Sequence, residues 1–312
     1  MSSLKHSTVI VFGPTGEVGG SAALEAAKRG AKVYLAMRDP SKNIPGIPQS
    51  DEKSLSFERI KADLTDPASV TSVIKQSGAK AAYIYRVQSA DHLLSSLTAM
   101  KAAGIEYIVF LSSFSLEPES NIRAVQPMEI IPYIHAQIEI TLEDLGIPHV
   151  ALRPAQFASN GFKMNLDKSK SPWQVNMLYG DYTGDAISPI DIGRVGGAVL
   201  VDPPANVMAK GKEVIFLCGP KLLTSDQQWE IVKKVSGKDI KVKHCTEQEY
   251  KDYITGLGFP FPIVEYLVKS MPKMKPELYV EPFYSESVAN IKRYSGHEPT
   301  QFEDYVKEYK SE

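Results

Sequence analysis

The stretch VIVFGPTGEVGGSAALEAAKRG, residues 9–30, joins an apolar run to a helix-like run through a glycine-rich turn. Gly13, Gly16 and Gly19 give this turn the spacing GxxGxxG. Such glycines allow a tight turn, approach of the backbone to a pyrophosphate, and close packing of helix on strand. Amides at the start of the helix attract the phosphates. The stretch therefore predicts a dinucleotide site, and a turn that has lost its ligand is the alternative.

Three further residues of the turn are predicted to contact the dinucleotide: Thr15, Glu17 and Val18.

Strand-like and helix-like segments alternate through the first half of the chain. Short β-branched or aromatic runs predict strands over 8–12, 32–37, 57–61, 81–85, 107–112 and 149–153. Apolar residues spaced by three and four predict helices over 21–29, 67–76, 92–103 and 133–145. Strict alternation is typical of an α/β fold with a doubly wound parallel sheet of the Rossmann type.

The second half is less regular and predicts a smaller, loop-rich α/β lobe that binds substrate. We expect a dinucleotide-binding domain over 1–156, to which 186–203 and 213–218 return, and a substrate lobe from 157–185 and 219–312. Residues 158–185 lack clean periodicity. The aromatic stretch GFPFPIVEYLVKSMPKM, from Gly258, either covers a pocket or packs the core of the lobe.

Composition excludes several classes of function. The 312 residues carry 35 Lys and Arg against 37 Asp and Glu, so no basic field exists to hold nucleic acid or an anionic membrane. Cys218 and Cys245 are too few for a disulfide framework or a zinc cluster. No apolar run approaches the roughly 18 residues of a membrane span, and no signal-peptide pattern is present. We expect a cytoplasmic protein with a small-molecule ligand and no metal.

Charges after the second predicted strand favour NADP(H) over NAD(H). Arg38 stands where an NAD site usually has an acidic residue, and Lys42 lies nearby. A guanidinium there can pair with a 2′-phosphate. The alternative is an ordinary surface pair between Arg38 and Asp39. Asp63, after the third strand, is a candidate to face the adenine; the alternative is that Asp63 or Asp66 only caps the following helix.

With these motifs placed, the chain resembles the NmrA-like family of atypical short-chain dehydrogenases over essentially its full length. The similarity runs through GPTGEVGG, RDPSK, KADLTD, YIVFLSSFS, HAQIE, IPHVALRPAQF and AISPIDIGRVGGAVL. Members include NADPH-dependent phenylpropanoid reductases, quinone and triphenylmethane dye reductases, tailoring enzymes of fungal alkaloid pathways, and redox-sensing regulators. The resemblance implies an NADP-binding Rossmann fold.

The stretch PYIHAQIE, residues 132–139, departs from short-chain dehydrogenases in general, which would follow Tyr133 with a lysine where this chain has Gln137. In the phenylpropanoid reductases the catalytic lysine aligns with His135. The quinone and dye reductases have histidine there and glutamate four residues on, as this chain does. The resemblance implies that Glu139 orients or charges His135, one helical turn away. The alternative is that His135 only lines a pocket.

Ligands of this fold bind at the carboxyl ends of the strands. We expect Tyr85 and Ser112 near the cofactor, and Ser113 beside the reacting atoms. An aromatic cluster suits a flat or cationic ligand, although core packing explains it as well. Predicted substrate contacts are Phe114, Gln156, Phe157, Asn160, Phe162, Trp173 and Tyr179, with Tyr182 in the same cluster. Arg153 and Asp191 are expected to be structural, as a paired buried arginine and a helix N-cap.

Without the lysine, the sequence favours a substrate that accepts hydride unaided. General acid–base help is worth about 10²- to 10⁴-fold, and iminium ions, quinoid systems and conjugated enones depend on it least. The first hypothesis is an NADPH-dependent reductase of such a molecule, in fungal secondary metabolism. A non-redox cyclase of the Pictet–Spengler kind, which retains NADP(H), is the second. A regulator that senses NADP is the third.

Overall fold

The computed structural model describes residues 5–271 and 279–309. The strands in chain order are β1 Thr8–Phe12, β2 Lys32–Met37, β3 Phe57–Lys61, β4 Ala81–Tyr85, β5 Tyr107–Leu111, β6 His149–Pro154, β7 Leu166–Asp167, β8 Trp173–Met177, β9 Thr183–Gly184, β10 Lys212–Leu217, β11 Leu223–Thr224 and β12 Ile240–His244.

The α-helices are α1 Glu17–Lys28, α2 Gln49–Ser54, α3 Pro67–Ser77, α4 Leu94–Ala103, α5 Ile130–Asp144, α6 Ala158–Met164, α7 Pro189–Val201, α8 Val207–Lys210, α9 Ser225–Ser236, α10 Glu247–Gly256, α11 Phe261–Ser270, α12 Phe283–Ser295 and α13 Phe302–Tyr309.

Seven parallel strands form the central sheet in the order β10-β6-β5-β4-β1-β2-β3. Alternate residues of β1 face two separate cores: Val9 and Val11 pack with α1 and α7, whereas Ile10 and Phe12 pack with α3 and α4. Helices therefore cover both faces, which confirms the predicted doubly wound fold. Strand order reverses between β1 and β4, and ligands bind at such a switch point.

Helices α1 and α7 approach closely because glycines on α7 face α1. A Cβ atom on Gly197 would lie 2.3 Å from the carbonyl oxygen of Ala22, and one on Gly193 would lie 2.4 Å from the Cβ of Ser21. The Ser21 hydroxyl also donates to the Ile190 carbonyl at 2.9 Å. This contact fixes α1, and with it the glycine-rich turn, against the rest of the domain.

The second half builds a smaller lobe on a three-stranded sheet, in which β8 pairs in parallel with β12 and antiparallel with β7. Residues 158–185, expected to be rich in loops, also contain α6, β7, β8 and β9. Their regularity depends on a partner strand more than 60 residues later in the chain, so local periodicity does not reveal it.

The helices of residues 5–271 and 279–309 include none with the length and apolar character to cross a bilayer.

Candidate functional site

The three glycines of the turn between β1 and α1 differ in how much space a side chain would find. Gly13 has φ +72°, a left-handed conformation that favours glycine, and a Cβ atom there would lie 2.4 Å from the ring of Tyr85. A Cβ atom on Gly19 would lie 2.3 Å from the Gly13 carbonyl oxygen. At Gly16 the nearest atom is that same oxygen at 3.5 Å, an ordinary contact. The space beside Gly16, at the start of α1, fits a phosphate group.

Glu17 ties this turn to the lobe. Its carboxylate accepts hydrogen bonds from the Ser159 hydroxyl at 2.8 Å and from the Lys163 ammonium at 2.6 Å, both on α6. The charge of Glu17 is therefore neutralised away from the open side of the turn. A contact of Glu17 with a dinucleotide would come from its main chain.

The side chains after β2 and β3 leave a free cation at the edge of the turn. Arg38 is exposed and forms no ion pair with a described residue, and Asp39 accepts hydrogen bonds from Ser41 instead. Asp63 accepts from the amide and hydroxyl of Thr65, whose hydrogen bonds lower its pKa, with a smaller contribution from the charge of Arg38. Arg38 therefore has the charge and freedom to bind a 2′-phosphate.

Two charged side chains close to Arg38 and Asp63 differ in what they bind. The carboxylate of Asp66 caps α3 by accepting from the Ala68 amide at 2.9 Å, so Asp66 and not Asp63 is the cap of this helix. Lys42 is exposed and, within the described chain, has no acidic partner for its ammonium group.

A cavity of about 440 Å³ opens at the carboxyl ends of β4, β5 and β6, beneath the lobe. The part of the chain that builds the central sheet contributes Tyr85, Arg86, Ser112, Ser113, Phe114, His135 and Gln156, and Phe157 directly follows it. The lobe contributes Asn160, Met164, Tyr182, Tyr250, Tyr266 and Leu267. This is the edge of the sheet at which the sequence predicts the substrate site.

His135 presents a hydrogen-bond acceptor to this cavity. Its Nδ1 lies 2.8 Å from the carbonyl oxygen of Ile131, and a carbonyl only accepts, so Nδ1 carries the proton and donates it. The lone pair is then on Nε2, the nitrogen left for a ligand. Burial lowers the pKa of His135 below its ordinary value, which keeps the ring neutral at pH 7. The ring is therefore equipped to accept a proton rather than to supply one.

Glu139 does not orient His135, which corrects that part of the prediction for this pair. Its charge acts to raise the pKa of His135 but does not overcome the effect of burial. Its carboxylate is fully buried and accepts hydrogen bonds from Ser112 at 2.6 Å and from Arg153 at 2.7 and 3.1 Å. Burial acts to raise the pKa of Glu139, but the hydrogen bonds and charge of Arg153, with Ser112 and Lys212, outweigh it and the net shift is downward. The buried guanidinium of Arg153 holds the carboxylate, and the prediction that Arg153 is a paired structural residue is confirmed.

The two serines after β5 differ in what they can offer a ligand. The Ser112 hydroxyl gives its proton to Glu139, so its oxygen is left only as an acceptor. The Ser113 oxygen accepts from the Ser115 amide at 3.2 Å and from the Ser115 hydroxyl at 2.9 Å. Ser113 therefore keeps its own proton for donation into the cavity.

The predicted aromatic cluster is divided between the cavity and the lobe. Phe114, Phe157 and Tyr182 line the cavity. Phe162 instead stacks on Tyr309 with ring centroids 4.4 Å apart, and Trp173 packs against the same core. The Tyr179 hydroxyl donates to Glu247 outside the cavity. Core packing thus accounts for Phe162 and Trp173, which corrects their predicted contact with substrate.

Several residues of the cavity were missed at the level of sequence. Tyr266 and Leu267 come from α11, within the aromatic stretch that begins at Gly258, and this part of the stretch does cover a pocket. Phe259 of the same stretch packs in the lobe. Arg86 directly follows β4, and its only sequence signal is a cation at a strand end.

A further missed residue, Asp185, joins the two halves behind the cavity. Its buried carboxylate accepts from the Tyr279 hydroxyl at 2.6 Å, the Gly219 amide at 2.6 Å and the Gln156 amide at 3.0 Å. Burial raises the pKa of Asp185 to about 6. Through the Gln156 amide it fixes the chain that leaves β6 along the cavity wall.

Asp191 does not cap a helix, which corrects its predicted role. Ser188 caps α7 by accepting from the Ile190 amide, and Asp191 accepts from the amide and hydroxyl of Thr300.

No cluster of His, Cys, Asp and Glu suited to a metal ion occurs in the described residues.

The chain is similar in sequence to known proteins. The model of the NmrA-like family matches residues 5–306. The nitrogen metabolite regulation-like protein bik4 of Gibberella fujikuroi is 41% identical, with 98% of both chains covered. An isoflavone reductase of Cicer arietinum is 25% identical over 82% of this chain and 84% of its own.

Among solved structures, an NADPH-dependent quinone oxidoreductase from Escherichia coli, complexed with NADPH, superposes with a TM-score of 0.69. The match covers 97% of this chain and 99% of the other at 18% identity, a level at which it supports the fold alone.

Proposed function

Because this chain belongs to the NmrA-like family, we propose that it is an NADPH-dependent reductase of a small conjugated, quinoid or imine-type molecule. One arrangement carries the proposal. The open space beside Gly16, and Arg38, which has no ion-pair partner in the described part of the chain, lie at the same sheet edge as the 440 Å³ cavity. The isoflavone reductase named above acts, as its name says, on a conjugated molecule of this kind. We place the reaction in the cytoplasm, as a tailoring step of fungal secondary metabolism.

Each part of the site has a role in this proposal. A bound NADPH supplies hydride. The glycine-rich turn holds the diphosphate, and Arg38 the 2′-phosphate. Tyr85 and Ser112 contact the cofactor from the ends of β4 and β5. Phe157 and Tyr182 provide flat apolar surface for a substrate ring.

The proton chemistry of the cavity favours a substrate that needs no general acid. His135 is neutral with its lone pair toward the cavity, and Ser113 offers only an ordinary hydroxyl. An isolated ketone reduced here would lack the help of about 10²- to 10⁴-fold that a positioned acid gives. A conjugated acceptor spreads the incoming electron pair over its own atoms and loses much less.

Turnover of NADPH with a panel of quinones, enones and cyclic imines tests this function. We expect loss of the absorbance of reduced nicotinamide in step with product formation, and heat on titration of NADPH into the protein alone. Arg293→Gln, on the distant surface of α12, is a control that leaves both results unchanged. Product formed without NADPH consumption would instead support the cyclase, in which His135 acts as a base.

A regulator that senses NADP is a second candidate, favoured by the name of the relative that is 41% identical. It predicts tight binding of NADP⁺ or NADPH, discrimination between the two, and no turnover on any member of the panel. A reductase predicts turnover at substrate concentrations near its binding constant. The two candidates are thus separated by one set of measurements.

A further inference from the structure

The cavity carries one unpaired cation. Arg86 is the only Asp, Glu, Lys or Arg among the described residues that line it. Its side chain is half-buried, yet it forms no hydrogen bond or ion pair with a described residue. The carboxylate of Glu139 lies behind Ser112 and is neutralised by Arg153. The described lining of the cavity therefore presents a positive charge to a ligand.

An arginine in this position calls for an anionic partner. A charged group removed from water is costly unless it is paired, and guanidinium groups bind oxyanions through several N–H donors at once. Arg86 also stands directly after β4, beside the switch point between β4 and β1, where ligands of this fold bind. A ligand in the cavity can supply the missing partner.

We propose that Arg86 binds a phenolic or enolic oxygen of the substrate, so that the cavity selects oxygenated aromatic or quinoid molecules over amines and iminium cations. This inference rests on the proposed function and names its substrate class. It narrows the substrate from the wider set of conjugated molecules, because a cation would meet the charge of Arg86 with no carboxylate in the described lining to offset it.

The polar groups around Arg86 complement such a molecule. Nε2 of His135 accepts a hydrogen bond from a second hydroxyl, and the Ser113 hydroxyl donates to the carbonyl oxygen that Arg86 does not hold. The apolar walls from Phe157 and Tyr182 contact the ring faces. The set of one cation, one acceptor and one donor matches a hydroxylated quinone or the phenol formed from it.

This assignment also accounts for reduction without a general acid. When hydride adds to a conjugated carbon of a quinone or enone, a C–H bond forms and the π electron pair moves to the carbonyl oxygen. That oxygen becomes an enolate oxygen beside Arg86, which stabilises its charge. In a quinone the ring carbon that accepted hydride then loses its proton to solvent, which gives the aromatic phenol. The oxygen takes its proton from water afterwards, so no residue has to donate it during hydride transfer.

Binding of 4-nitrophenol tests the inference without cofactor or turnover, since the phenol and its anion differ in visible absorbance. We expect the wild-type protein to lower the pKa of the bound probe. Arg86→Gln should abolish that shift and weaken binding of the anion by about 10- to 100-fold. Arg86→Lys should retain part of both effects. Arg293→Gln removes the same charge from the remote surface and should behave as wild type.

Three outcomes would overturn the inference. The first is equal binding of 4-nitrophenol by wild type and a folded Arg86→Gln, or no binding by wild type. The second is tighter binding of the cation benzyltrimethylammonium than of 4-nitrophenol. The third is that Arg86→Gln weakens NADPH and NADH alike and leaves the phenol unaffected, which would assign Arg86 to the cofactor. Arg86-dependent phenol binding without NADPH turnover on any quinone would reject the reductase alone.

Discussion

The carboxylate of Glu139 forms a two-point ion pair with the guanidinium of Arg153, with nitrogen–oxygen distances of 2.7 and 3.1 Å. Both residues are buried, with exposed fractions of 0% for Glu139 and 4% for Arg153. Arg153 also donates to the Leu116 carbonyl at 2.8 Å, and Ser112 donates to Glu139. This network joins α5, β6 and the end of β5, and so holds the rear wall of the cavity.

Removal of the carboxylate should be strongly destabilising. Glu139→Ala leaves the Arg153 guanidinium buried without a counter-charge, and breaking such a pair typically costs about 3–5 kcal/mol in the free energy of unfolding. Glu143→Ala, one turn further along α5, removes half-exposed contacts to Arg123 and Lys212 and should cost about 1 kcal/mol or less. Urea denaturation of both variants measures the difference. Equal losses would mean that Glu139 is not the dominant partner of Arg153.

The glycine-rich turn allows stability and ligand binding to be separated. In Gly19→Ala the new methyl group meets the Gly13 carbonyl at 2.3 Å, so we expect a lower free energy of unfolding, by about 1–3 kcal/mol. In Gly16→Ala the nearest atom is 3.5 Å away, so stability should be kept while the methyl group takes up space for the diphosphate. Calorimetric titration with NADPH should show weaker binding for a fully folded Gly16→Ala. Unchanged affinity in that variant would argue against a diphosphate at this turn.

Local sequence patterns predicted the central sheet because each element carries its own signal. The six strands of the first half are found with bounds that agree to within one residue. The strand Trp173–Met177 was missed, since its regularity comes from pairing with Ile240–His244. Hydrophobic periodicity reports what a segment does alone and not which distant segment completes it.

The site was harder to predict than the fold, since its side chains choose among partners from several elements. Helical spacing placed His135 and Glu139 on one face, but Arg153 comes from a strand and holds the carboxylate more strongly than a neutral imidazole can. The sequence does not distinguish an aromatic residue that lines a cavity, as Phe157 does, from one that packs in a core, as Phe162 does. In the sequence alone, Arg86 cannot be distinguished from a surface cation at the end of a strand. Only the residues that surround it in the fold identify it as part of the cavity.

Arg38 should determine the preference for the phosphorylated cofactor. Loss of charge-assisted hydrogen bonds to a phosphate costs about 1.5–3 kcal/mol, so Arg38→Gln should weaken NADPH by roughly 10- to 150-fold. NADH lacks the 2′-phosphate and should bind the variant and the wild type alike. Calorimetric titrations of both cofactors into both proteins give the comparison. Equal weakening of the two would move Arg38 away from the phosphate.

The titration of His135 should appear as an acidic limb in the pH profile of kcat/KM. Its pKa lies below the ordinary value of 6.5, so the ring is neutral at pH 7 and gains a proton at Nε2 only as the pH falls further. Protonation turns the acceptor into a cation beside Arg86, which should reduce activity toward a hydroxylated substrate. His135→Gln keeps an acceptor that cannot titrate, so we expect the limb to disappear with a loss well below the roughly 10²-fold of a missing general acid.

The acidic limb has to be separated from the titration of Asp185, whose pKa of about 6 falls in the same range. Asp185→Asn should retain the limb if His135 is its source, whereas His135→Gln should lose it in either background. Activity that rises as the pH falls toward the pKa of His135 would contradict the role of His135 as a hydrogen-bond acceptor. It would mean that the imidazolium donates a proton from Nε2 to the substrate, while Nδ1 keeps its hydrogen bond to the Ile131 carbonyl.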